Sequence, residues 1–136
     1  MPLKIALHSF SYLNSGIPKD QTGNGGGFVF DCRFINNPGR LEEFKSQTGK
    51  DTSVINYLNE DNAMQEFLAE VNSILTKAIM NYLNRKFSHL MVCFGCTGGQ
   101  HRSVYSVEKT KEFILKHFPE VRVEVIHNEF PELNNT

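Results

Sequence analysis

Residues 90–103 read LMVCFGCTGGQHRS. The first five, Leu90-Met91-Val92-Cys93-Phe94, form a short continuous apolar run, the pattern of a strand buried on both faces. Gly95, Gly98 and Gly99 follow, and then His101, Arg102 and Ser103 in a row. From Arg102 onward, Val104, Val107, Ile114 and Phe118 recur on a helical face, and Pro119 stops the helix near His117. Strand, glycine loop and helix in this order make the repeating unit of an α/β fold.

Working outward, three more segments read as strands. Residues 4–9 (KIALHS) alternate apolar and polar, and residues 28–34 (FVFDCRF) are aromatic and β-branched. Residues 121–126 (VRVEVI) alternate strictly, which suits an edge or half-covered strand. Between the second and third strands, Met64, Phe67, Leu68, Val71, Ile74, Leu75, Ala78, Ile79, Tyr82 and Leu83 keep an i, i+3, i+4, i+7 series, so residues 62–85 read as a long helix capped by Asp61 or Asn62. A shorter helix is expected near residues 52–58. Residues 14–27 hold six glycine or proline positions and read as a long, mobile loop. Asn36-Asn37-Pro38-Gly39 reads as a turn, and the tail from Phe130 should fray. The expected architecture is α/β: a single three-layer-like domain over residues 1–136 with a mainly parallel sheet. Ligands of such sheets bind beyond the carboxyl ends of strands.

The chain has 136 residues and a formal net charge of −1, so it has the length for a real core and lacks the basic excess of a duplex-binding protein. No apolar run approaches the roughly 18 residues a membrane span needs, and the N-terminus does not read as a secretory signal. Cys32, Cys93 and Cys96 are an odd, sparse set that fits a reducing, cytoplasmic setting. Cys93 and Cys96 have C-x-x-C spacing, but there is no second pair to complete a zinc site. Neither a metal nor a cofactor is expected.

The loop carries the chemistry. Gly95, Gly98 and Gly99 allow left-handed backbone and close approach to a ligand. The first N–H groups of the following helix are unpaired, and its dipole favours an anion. Thr97 and Ser103 add hydroxyls, Arg102 offers a bidentate fork for phosphate oxygens, and His101 adds a donor or a charge. A simple turn needs one or two glycines but not this polar company. The string is not a Walker A loop, which would place glycine at Gln100 and lysine at His101. It does fit C-x5-R-S, the spacing of cysteine-dependent phosphatases, with Cys96 as nucleophile, Arg102 holding oxygens and Asp31 as acid. Those enzymes carry histidine before the cysteine, where this chain has Gly95. Asp31 and Arg33 should share one face of their strand, as ligand contacts or as an ion pair.

The string GCTGGQHRSVY, with FVFDCRFINNP and SQTGKD, closely resembles the C-terminal domain of the RapZ family of sugar-phosphate-sensing RNase adaptor proteins. Ser9-Phe10, Gly16-Ile17-Pro18, Asp31, Arg33, Phe34, Asn37, Pro38, Thr48, Gly49, Asp51 and His127 fall in the family's order. The resemblance implies a fold like the sugar-phosphate-binding part of phosphofructokinases and a site for an amino-sugar phosphate such as glucosamine 6-phosphate. Carried over to that site are Cys96, Thr97, Gly98, Gly99, His101 and Arg102, with Arg33, and with His127 as a second basic group. Family members usually add an N-terminal P-loop domain, for which this chain has no motif. They carry a basic residue at Gln100 and a basic C-terminus, where this chain reads HNEFPE. Three functions are therefore weighed. The first is a phosphosugar- or phosphate-binding sensor acting through a protein partner. The second is a cysteine-dependent phosphatase, and the third an RNA-binding adaptor domain. Self-association is left open.

Overall fold

The computed structural model describes residues 2–134. Four strands, β1 (Lys4–Ser11), β2 (Phe28–Asp31), β3 (His89–Cys96) and β4 (Arg122–His127), form one sheet in the order β2-β3-β1-β4, and every pair is parallel. Helices α1 (Thr52–Asn59) and α2 (Asn62–Asn84) lie between β2 and β3, and α3 (Arg102–His117) lies between β3 and β4. The expected α/β architecture holds, and β4 is an edge strand as its alternation predicts.

Strand order and handedness decide where each connection runs. Going from β2 to β3 and from β3 to β4 moves across the sheet in one direction, so right-handed crossovers put all three helices on one face. The core agrees. Ile5, Leu7, Leu90, Val92, Phe94 and Val125 of the sheet pack with Leu68, Leu75, Ile79, Val107 and Ile114 of the helices. Going from β1 to β2 moves the other way, so that connection belongs on the opposite face. Residues 19–26 indeed lie over Ala6, Met91 and Ile126, enclosing a hollow of about 390 Å³. The third layer is thus irregular chain. Phe10 and Tyr12 pack edge to face at 4.7 Å beneath it, with Met91 and Cys93.

Local chemistry sets the boundaries. Asp61 accepts the Met64 N–H at 2.9 Å and caps α2, whose buried stripe is Met64, Leu68, Val71, Leu75 and Ile79. The α3 span matches its expectation, and His117 closes it by donating Nδ1–H to the Phe113 carbonyl. Two expectations need correction. β3 runs to Cys96, so Gly95 and Cys96 are strand residues opposite Phe10 and Ser11, and the loop proper is 97–101. β2 ends at Asp31, so Cys32, Arg33 and Phe34 lie beyond the strand. The expected turn at residues 36–39 contains the start of a 3-10 turn, Pro38–Arg40, capped by the Asn37 side chain. Part of the tail is ordered as another such turn, Pro131–Leu133; residues 135 and 136, also expected to fray, lie outside the described residues.

Candidate functional site

The carboxyl ends of β2 and β3 bring Asp31 beside Gly95, and those of β1 and β3 bring Ser11 beside Cys96. Beyond them opens a cleft of about 350 Å³. Thr97 and Arg102 form one wall, and the segment after β2, from Arg33 to Asn37 with Arg40 and Leu41, forms the other. Tyr57 closes the end. The larger hollow under residues 19–26 has an apolar floor and includes no residue of the loop, whereas the smaller cleft is lined by Thr97 and Arg102.

Arg102 organises the cleft. It is the first residue of α3, and only 3% of it is exposed. Its Nη1 donates to the carbonyls of Ile35 at 2.8 Å, Arg33 at 3.0 Å and Cys32 at 3.5 Å. A buried guanidinium thereby pins the chain that leaves β2. Its Nη2 reaches Thr97 Oγ1 at 3.4 Å, a long contact, and its buried Nε has no hydrogen-bond partner. The Nε–Nη2 edge is the side of the guanidinium that forms a fork with an oxyanion, and its one bond within the chain is the long contact to Thr97.

The loop is held from several sides. Ser11 Oγ donates to the Thr97 carbonyl at 2.6 Å and accepts the N–H groups of Leu13 and Asn14. Gln100 Nε2 donates to the carbonyls of Lys45 and Gln47. The glycines divide the work differently from the sequence expectation. Only Gly99 is left-handed, at φ +65°, and a Cβ there would lie 3.0 Å from backbone atoms of Phe10 and Ser11. Gly95 is extended; a Cβ would strike the Phe10 ring at 2.3 Å, so it serves packing on the open sheet face. A Cβ at Gly98 would touch nothing. That space is free for a ligand.

The remaining candidates fall in distinct places. Cys96 is 2% exposed and donates its S–H to Ser103 Oγ at 3.2 Å, both beneath the loop. His101 is buried; its Nε2–H donates to the Phe44 carbonyl at 2.8 Å, and burial holds the imidazole below its usual pKa, so it is a neutral strut. Arg33 and Asp31 form a bidentate pair with contacts of 2.7–3.1 Å, and the guanidinium also lies 3.8 Å over the Tyr12 ring. Hydrogen bonding from Arg33 keeps the Asp31 carboxyl below the ordinary carboxylate range. His127 is fully buried between Ser9 Oγ at 2.7 Å from Nδ1 and Glu108 Oε2 at 2.8 Å from Nε2, away from the cleft lining. Burial, the largest single effect, pushes the Glu108 carboxyl up, but the His127 hydrogen bond together with the nearby charges of Lys50 and Lys111 outweighs it and the net direction is down. Cys93 and Cys96 point to opposite faces of β3 and cannot act as a pair. No group of three or more His, Cys, Asp or Glu side chains among the described residues is placed to hold a metal ion.

Sequence reading passed over Ser11, Arg40 and Tyr57, and read Asn36 and Asn37 only as turn and family-motif residues, not as lining of a cleft. Asn36 Nδ2 donates to Asp61 Oδ2 at 3.0 Å and so ties the cleft rim to the α2 cap. The available signal was position: Asn36, Asn37 and Arg40 follow the carboxyl end of a strand.

The family model for the RapZ C-terminal domain matches residues 3–131. A nucleotide-binding protein of Acidobacterium capsulatum is 37% identical over 127 residues, which cover 93% of this chain and 39% of that protein. A nucleotide-binding protein of Ruegeria sp. is 35% identical over 129 residues, 95% of this chain and 40% of the relative. One from Aeromonas hydrophila is 37% identical over 107 residues, 79% and 35% of the two chains. The chain thus spans about two-fifths of the length of the first two relatives.

Proposed function

Because the chain belongs to the RapZ C-terminal domain family, we propose that it binds the phosphate of a phosphorylated sugar, of the glucosamine 6-phosphate kind, and acts as a sensor or adaptor through a protein partner. One observation carries this reading. Arg102 is buried, anchored through Nη1, and has an unpartnered Nε on its Nε–Nη2 edge at the N-terminus of a sixteen-residue helix, beside a loop with open space at Gly98. The phosphate would lie between that edge, the Thr97 hydroxyl and the first N–H groups of α3. The sugar would occupy the cleft toward Asn36, Asn37 and Tyr57. Arg33 would contribute through the mouth of the cleft, whereas His101, Ser103 and Cys96 would shape the loop from beneath.

The phosphatase reading is less favoured. Its nucleophile would be a thiol buried to 2% exposure, and its acid would be Asp31, whose carboxylate is stabilised by Arg33 and so holds no proton to give near neutral pH. The RNA reading is less favoured as well: in the basic stretch of α3, Lys109 lies over the Tyr105 ring and pairs with Glu112 at 3.8 Å. The relatives are named for nucleotide binding, but residues 1–136 contain no G-x-x-x-x-G-K-[ST] string, so we assign phosphate recognition, not nucleotide recognition, to this part. The three free cysteines fit a cytoplasmic setting. No helix among the described residues is long and apolar enough to cross a membrane.

The test is a thermal-shift screen of sugar phosphates, nucleotides and inorganic phosphate, followed by amide titration. A true ligand at about 100 times its Kd adds about 2.7 kcal/mol of stability. Amide shifts should map to residues 97–103 and to 33–40. Shifts confined elsewhere, or none at millimolar phosphate, would refute the proposal.

A further inference from the structure

Residues 19–26 cross the sheet face opposite the helices as an arch that is fixed at both ends and braced from within. Before it, the Gly16 N–H donates to the Ser11 carbonyl. After it, Gly27 lies so close to β3 that a Cβ there would come within 2.0 Å of the Met91 carbonyl oxygen. In between, Asp20 Oδ1 accepts the Thr22 N–H at 3.0 Å and the Thr22 hydroxyl at 2.7 Å, and Oδ2 accepts the N–H groups of Asn24 at 2.7 Å and Gly26 at 3.4 Å. These bonds, the Thr22 hydroxyl foremost, pull the Asp20 carboxyl down to about 2, so the bracing holds at any ordinary pH. The arch thus stands on its own polar groups and not on apolar packing against the sheet. Beneath it lie Ala6, Met91 and Ile126, with Ala6 in register between Met91 and Glu124. A side chain as small as alanine there leaves the hollow of about 390 Å³. That volume falls within the roughly 300–1,000 Å³ of small-molecule sites, and like most of them it is formed in advance.

The polar groups around this floor decide what it takes. The two carboxylates are engaged: Glu124 pairs with Lys4 at 3.0 Å, and Asp20 is turned into the arch. Two donors are not. His8 Nδ1 accepts from Asn128 Nδ2 at 3.2 Å, and burial holds the imidazole below its usual pKa, so the neutral ring carries its proton on Nε2. No described residue accepts that proton, and Lys19 has no ion-pair partner among the described residues. We propose that the hollow is a second binding site, for a flat aromatic carboxylic acid of one or two rings. The ring rests on Ala6, Met91 and Ile126 beneath the peptide planes of the arch, and its carboxylate lies between Lys19 and the His8 Nε2–H. Both free groups donate, so an anionic acceptor fits where an ammonium would find its acceptors taken. Met91, unbranched and polarisable, adjusts to the outline of the ring. The hollow shares no lining residue with the cleft at Thr97 and Arg102, so this site is independent of the phosphate reading.

The experiment titrates naphthoate, and its uncharged analogue naphthamide, into the isotope-labelled chain and follows amide and methyl resonances. Naphthoate should give saturable shifts at Ala6, Met91, Ile126 and residues 19–26, with residues 97–103 unmoved, and naphthamide should bind more weakly. Ala6→Leu, which fills the hollow, should abolish both, with circular dichroism as the check on folding. Lys19→Ala changes an exposed side chain and leaves the fold intact; it should weaken naphthoate about three- to fivefold, the strength of an exposed ion pair, and leave naphthamide unchanged. Absence of saturable shifts at millimolar naphthoate, shifts confined to other residues, or binding that survives Ala6→Leu would overturn the proposal. So would equal affinity for the acid and the amide in both wild type and Lys19→Ala.

Discussion

The Arg102 guanidinium lies 2.8 Å from the Ile35 carbonyl, so the first residue of α3 and the chain leaving β2 are held by one buried charge. The loop 97–101 and the opposite wall of the cleft are therefore a single mechanical unit. Arg102→Lys should damage both. Lysine keeps the charge but cannot span three carbonyls and still present a fork. The expected loss is roughly 1.5–3 kcal/mol per charge-assisted hydrogen bond removed, read as a lower urea midpoint together with weaker phosphate affinity in calorimetry. Wild-type values in both would show that the anchor contributes nothing.

Two neighbouring glycines should respond oppositely. Gly98→Ala adds a methyl where nothing lies within 4 Å, so stability should stay within about 0.5 kcal/mol while phosphate affinity falls. Gly99→Ala forces alanine into φ +65° and against the Phe10 and Ser11 backbone, so it should destabilise by about 1–3 kcal/mol. Thermal unfolding with and without phosphate separates the two, and unchanged affinity in Gly98→Ala would remove the loop from the binding site.

Cys96→Ser should retain most phosphosugar affinity, since its thiol is spent on Ser103 beneath the loop. Neither wild type nor variant should hydrolyse p-nitrophenyl phosphate between mildly acidic and neutral pH. Wild-type turnover that disappears in the serine variant would replace the binding reading with the phosphatase one.

Stability should decline on mild acidification. Burial lowers the His101 pKa from its ordinary 6.5, so below that pH the unfolded chain takes up a proton that the folded chain refuses. The stabilisation is complete above pH 6.5 and is lost progressively below it, down to the depressed folded value. His8, also lowered by burial, adds to the same slope. His101→Gln, which can still donate to the Phe44 carbonyl, should flatten the dependence below pH 6.5. Identical slopes for the two proteins in denaturant titrations would mean His101 is not refusing the proton.

Periodicity made most of the fold readable. The α2 and α3 stripes and the alternation of β4 each follow from one face meeting the core. The ends of β2 and β3 were not readable, because Gly95 and Cys96 look like loop residues until Phe10 and Tyr12 are seen to need the missing Cβ. The candidate site was legible as a cluster of residue types, and the Asp31–Arg33 ion pair was one of the two readings the sequence left open. What sequence could not supply was direction. Nothing in HRS says that His101 turns to Phe44, that Arg102 spends one nitrogen on three carbonyls, or that His127 lies between Ser9 and Glu108. Those orientations depend on chain segments dozens of residues away.

The crossing over the bare face of the sheet carries one more consequence. Gly23 and Gly25 both sit at φ +85°, and a Cβ at either would meet nothing. Crowding does not select glycine there; chirality does. Mirror-image residues would fit these positions without strain, and D-alanine at Gly25 should stabilise the folded chain by narrowing the freedom of the unfolded one, where L-alanine would cost about 1 kcal/mol. This stretch is thus tolerant of bulk and intolerant of handedness, which makes it a natural place to attach a reporter group through a D-residue without disturbing the sheet below.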